Sequence, residues 1–128
     1  METTNNNPLH KRRSKDKVLI LDFIRKQVEK GTGKSLAELK NEHSEERLFY
    51  TGLRYITTTK KAFCKALNIN IDNACRYKRN FEKNGYLVQS TDEVVCQYTK
   101  HKAHLISTNP KEFERLQKSN TNQLKMFV

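Results

Sequence analysis

The part of this chain that most limits its folding options is residues 57–87, TTTKKAFCKALNINIDNACRYKRNFEKNGYL. Its apolar residues recur at helical spacing, yet the pattern breaks at Leu67-Asn68-Ile69 and stops again at Asn84-Gly85. Ala62, Phe63, Ala66 and Leu67 follow the i, i+1, i+4, i+5 spacing of one buried helical face. In the second run Ile71, Ala74, Phe81 and the ring of Tyr77 fall on one side. Asp72, Asn73, Arg76, Arg79, Asn80 and Lys83 fall on the other. The spacing predicts two short helices joined by a tight turn, the second held from behind with amide and guanidinium groups in front. Such groups are what reading base edges in a major groove requires.

At these residues a family resemblance enters. Thr59-xxx-Phe63-Cys64-xx-Leu67-x-Ile69, then Arg76-xxxx-Phe81-Glu82-xx-Gly85-Tyr86-Leu87, resembles the helix-turn-helix of winged-helix DNA-binding domains. The likeness extends more loosely over residues 16–108. It implies a mainly α fold with a small antiparallel β-hairpin, the winged helix-turn-helix, and double-stranded DNA as partner. One departure is Asn68, where the motif often has glycine; Asn is among the few other residues that tolerate a left-handed backbone.

The chemistry of the helix expected at 71–84 divides by residue type. Asn73 and Arg76 suit base edges, Asn pairing with adenine and Arg with guanine through paired hydrogen bonds. Lys78, Arg79 and Lys83 suit phosphates, as does the hydroxyl of Tyr77, and Asn80 shares their face. Asp72 needs no DNA partner, since an acid in a first helical turn is favoured by the helix dipole. Lys100, His101 and Lys102 form a second basic element at an expected hairpin tip. Arg12 and Arg13 lie in a third, an arm that could follow phosphates or enter a narrow minor groove.

With 128 residues and 35% hydrophobic content, the chain has material for one domain with a modest core. We expect a disordered basic arm at 1–13, the domain at 14–118 and a flexible tail at 119–128. Lysine and arginine exceed aspartate and glutamate by 25 to 14, a net +11 whose usual partner is a polyanion. No apolar run approaches the roughly 18 residues of a membrane span, and a cytoplasmic protein is expected. Three cysteines, Cys64, Cys75 and Cys96, without CxxC spacing suggest reduced thiols rather than a disulfide framework. His101-x-x-His104 with Cys96 falls short of the four ligands that structural zinc takes, so no metal or cofactor is expected. Neither a Gly-x-Ser-x-Gly setting nor a glycine-rich phosphate loop is present, and Glu42, Glu45 and Glu46 read as solvated loop charges. The expectation is a binding protein, not an enzyme.

Around the central motif the pattern predicts further elements. A first helix from about Ser14 to Lys30 carries an inner stripe of Val18, Leu21, Ile24 and Val28, widened by Ile20 and Phe23, and stops at Gly31 and Gly33. Ser35-Leu36-Ala37-Glu38 is a capping box opening a helix that ends near Glu42. Residues 41–47 read as a loop, and the aromatic and β-branched residues of 48–56 as an extended segment. Any of Thr57, Thr58 and Thr59 could cap the next helix. Beyond Leu87 two registers compete: strands at 94–99 and 103–107 joined at residues 100–102, or 86–90 paired with 94–99 around Thr91-Asp92. Asn109-Pro110-Lys111-Glu112 is the clearest helix start, with Phe113 and Leu116 facing the core.

These readings favour a sequence-specific DNA-binding protein acting as a transcriptional regulator. An alternative comes from the tail, where Gln123, Leu124, Met126 and Phe127 resemble the peptide by which bacterial proteins dock on the replication sliding clamp. The chain would then be an accessory factor of replication or of a mobile element. An RNA-binding role is a third option, opposed by the core-facing placement of most aromatics. A homodimer would have the first or last helix as its surface.

Overall fold

A computed structural model describes residues 8–118, of which residues 8–15 are described as backbone alone. Within them lie helices α1 (Pro8–Thr32), α2 (Leu36–Glu42), α3 (Glu45–Leu53), α4 (Lys60–Leu67), α5 (Ile71–Lys83) and α6 (Pro110–Gln117). Strands β1 (Thr58–Thr59), β2 (Val88–Val95) and β3 (Lys102–Ser107) form one antiparallel sheet in the order β1-β3-β2. The chain is therefore mainly helical with a small antiparallel sheet. No helix among the described residues is long and apolar enough to cross a membrane.

Helix α1 begins at Pro8 rather than near residue 14. Proline suits a first helical position because the N–H it lacks would have no intrahelical acceptor there. Ile24 and Val28 of α1 are buried, with Ile20 and Leu21 packed at the margin. Val18 and Phe23 were expected inside, yet each is 58% exposed, so the inner stripe is narrower than the sequence suggested. Gly33 ends the helix with φ +73.

The larger correction concerns residues 41–56. Instead of a loop followed by an extended segment, α2 and α3 are separated only by His43 and Ser44. Ser44 caps α3 by accepting from the Arg47 N–H, and Glu45 and Glu46 occupy its first turn, where the dipole favours acids. Leu48, Phe49, Gly52 and Leu53 then form a buried face at i, i+1, i+4, i+5. Local capping and tertiary packing outweigh the strand preference of the aromatics. Gly52 permits the fit: a Cβ there would meet the Phe63 ring at 2.6 Å.

Phe49 is the hub of the core, edge-on to Phe63 at 5.7 Å between ring centroids and stacked with Phe81 at 6.4 Å. Asn68 closes α4 in the left-handed region at φ 57, as the turn requires. The capping box at Ser35 and the Asn109–Pro110 start of α6 both form as expected.

The hairpin follows neither proposed register as stated. β2 is longer, starting at Val88, and Val94 pairs with Ala103. The turn spans residues 96–101, closed by the Cys96 N–H on the His101 carbonyl and the Lys100 N–H on the Cys96 carbonyl. Lys102 belongs to β3, not the tip. Thr91 and Asp92 lie within β2 where the pairing skips, between Gln89–Ile106 and Glu93–His104. Ser90 stitches the gap by accepting the Leu105 N–H at 2.9 Å and donating to the Asp92 carbonyl at 2.7 Å.

Candidate nucleic-acid interface

The surface is built on α5, so its support comes first. Asn70 caps the helix by accepting the Asn73 N–H at 3.0 Å. Ala74 is fully buried, and Tyr77 and Phe81 pack at the edge of the core beside Phe49. The helix is thus clamped along one side, and Asp72, Arg76, Arg79, Asn80 and Lys83 remain exposed on the other.

One acid outside α5 fixes its first two turns. The Glu45 carboxylate accepts from the Asn70 N–H at 3.2 Å, the Asn73 Nδ2 at 3.0 Å and the Tyr77 hydroxyl at 2.9 Å. Partial burial works against ionisation of Glu45. The bonds from Asn73, Asn70 and Tyr77, with the charge of Lys40, together outweigh it and hold the carboxyl below its ordinary range. Burial and the same carboxylate push the Tyr77 phenol up. The bonds continue outward, since Asn73 Oδ1 accepts from Arg76 Nη2 at 2.7 Å. The guanidinium of Arg76 is therefore oriented through Asn73 by a residue of α3.

The predicted site residues sort by their engagement. Asn73 has both halves of its amide occupied, and Tyr77 directs its hydroxyl to Glu45 rather than outward. Lys78 pairs with Glu82 at 2.8 Å. Arg79, Asn80 and Lys83 have no ion pair or side-chain hydrogen bond to another side chain among the described residues. Lys100 and His101 are exposed in the hairpin turn, with Lys102 just after it. Lys100 holds φ 66, a left-handed conformation that strains any residue with a Cβ. The side chains of Arg12 and Arg13, and all of Gln123, Leu124, Met126 and Phe127, lie outside the described residues.

The fold brings α5 and the hairpin together. A hollow of about 280 Å³ is lined by Lys78 of α5, by His101, Lys102 and His104 of the hairpin, and by Lys60 and Lys61 at the start of α4. Lys60, Lys61, His104 and Glu45 were not anticipated as site residues. The lysine pair did carry a signal, because α4 has no acid in its first turn and lysines there oppose the helix dipole. Glu45 carried none while its segment was read as a loop.

The cysteines are accounted for locally. Burial pushes the Cys64 thiol up to about 12, so it serves as a packed apolar group. Cys96 shares a 2.9 Å hydrogen bond with the Thr59 hydroxyl, which consequently does not cap α4. Among the described residues no group of three or more His, Cys, Asp or Glu is placed to hold a metal. Comparison with known proteins found no matching family model, no similar curated protein and no similar solved structure.

Proposed function

We propose that this chain is a winged helix-turn-helix protein that binds double-stranded DNA in the cytoplasm and acts as a transcriptional regulator. α4 and α5 form the helix-turn-helix, α5 enters the major groove, and the β2–β3 hairpin is the wing. The observation that carries the reading is the two-sided build of α5. Its inner side is anchored on Phe49 and Glu45, while Arg76, Arg79, Asn80 and Lys83 project from a rigid support. Recognition of base edges demands such rigidity, because a helix free to roll could not hold a bidentate contact.

Arg76 is the principal base reader, and Asn73 is the residue that aims it. Arg79 and Lys83 contact phosphates, with Asn80 beside them. Lys100, strained where glycine or asparagine would fit more easily, contributes a charge that neither of those would supply. The net +11 supplies the sequence-independent part of the affinity through counterion release.

Selection from a randomised duplex library tests this directly. The wild type should enrich a short motif, and Arg76→Ala should lose about 1–3 kcal/mol and relax preference at one base pair. Retention of an unchanged motif by Arg76→Ala would remove Arg76 from the reading role, and failure of the wild type to enrich any motif would overturn sequence recognition.

A further inference from the structure

The hollow between α4, α5 and the hairpin gathers charges that are distant in sequence. Lys60 and Lys61, Lys78, Lys102, His101 and His104 line it, and Glu93 is the single acid among its lining residues. Two of the lysines are engaged, Lys60 donating to Cys75 Sγ at 3.0 Å and Lys78 to Glu82 at 2.8 Å. Lys61 and Lys102 have no ion pair among the described residues. Like charges crowded in a concavity repel one another, and its walls focus their field on any anion that enters. Because a carbonyl can only accept, the 2.8 Å contact of His104 Nδ1 with the Ser90 carbonyl places the ring proton on Nδ1 and fixes the ring at the hollow's edge.

We propose that this hollow is a phosphate site that grips one backbone phosphate of the bound duplex at the seam between α5 and the hairpin. The proposal rests on the duplex-binding reading and names a contact outside the outward face of α5. The unpaired ammonium groups of Lys61 on α4 and Lys102 on β3, with Lys60 and Lys78 also lining the hollow, suit a tetrahedral anion with acceptors on every side. A planar carboxylate would be met better by an arginine fork, and the hollow has none. The uncapped start of α4 adds the partial positive charge of its first N–H groups beside Lys60 and Lys61.

The test compares wild type, Lys61→Ala/Lys102→Ala and the outward-face variant Arg79→Ala/Lys83→Ala. Duplex affinity is read by fluorescence anisotropy over a range of potassium chloride concentrations, with thermal melts as the check on folding. Each phosphate contact contributes about 0.9 to the slope of log affinity against log salt. Loss of the lysine pair should flatten the slope by about one contact or more and weaken binding by about tenfold at ~0.1 M salt. An unchanged slope in a folded, duplex-binding Lys61→Ala/Lys102→Ala protein overturns the site.

A second arm titrates inorganic pyrophosphate while following the ring signals of His101 and His104 by NMR. If the wild type binds no duplex, the duplex-binding reading fails and this arm decides the hollow alone. Saturable shifts in wild type that vanish in Lys61→Ala/Lys102→Ala then leave a site for free phosphate compounds. No shift overturns the site altogether.

Discussion

On one flank of α5, Asn73 and Tyr77 are tied to Glu45, while the outward face presents Arg79, Asn80 and Lys83 with no side-chain partner among the described residues. Both flanks are polar, so composition does not distinguish them. The difference is where the partners come from. The inner flank meets an acid delivered by α3, and the outward residues Arg79, Asn80 and Lys83 meet no side-chain hydrogen-bond or ion-pair partner among the described residues. Polar residues of the first kind set the position of the helix, and those of the second kind remain available for a ligand. A basic helix face is thus divided by its hydrogen bonds, and roles within it follow from that division.

The largest expected effects come from the core beneath α5. Phe49→Ala removes the ring on which Phe63, Tyr77 and Phe81 pack, and should cost about 3–5 kcal/mol by chemical denaturation. Gly52→Ala forces a methyl group against the Phe63 ring and should cost about 1–3 kcal/mol. If Gly52→Ala were as stable as wild type, the close approach of α3 and α4 would be wrong.

At the flank itself, Glu45→Gln should cost about 1 kcal/mol near neutral pH and weaken duplex preference through Asn73 and Arg76. The folded-state value of Glu45 is lowered, so its contribution is full above the ordinary 4.5 and is lost as pH falls through that lower value. Thermal melts of wild type and Glu45→Gln should therefore converge on acidification. A constant gap down to pH 3 would show that ionisation of Glu45 is not what matters.

Smaller effects test the two left-handed residues. Asn68→Ala should cost about 1 kcal/mol and Asn68→Gly close to nothing, because φ 57 penalises a Cβ. Lys100→Gly should stabilise the turn by up to about 1 kcal/mol yet weaken duplex binding. Smallest of all, Arg79→Ala with Lys83→Ala should change stability by less than about 0.5 kcal/mol while reducing DNA affinity several-fold.

The α4–turn–α5 pair was legible because local signals and tertiary packing agree there: apolar spacing at helical intervals and an Asn able to adopt φ 57. Residues 48–56 misled because Phe49, Tyr50, Tyr55 and Ile56 favour strands individually, while the capping of Ser44 and the packing of Phe49 are decisive only in context. The outward face of α5 followed from helical periodicity alone. The inner role of Asn73 did not, since its partner Glu45 stands in another element. The hollow was illegible for the same reason, as its lysines come from α4, α5 and β3.

Duplex binding through α5 and the hairpin is tested most directly by a backbone-amide NMR titration of the protein with a selected duplex. Perturbations should concentrate at Asp72, Arg76, Arg79, Asn80 and Lys83, at residues 100–102 and at Lys60 and Lys61. The surface of α1 around Leu19 and Phe23, both exposed, should stay silent. Perturbations centred on that α1 surface, or none on α5, would contradict that binding mode.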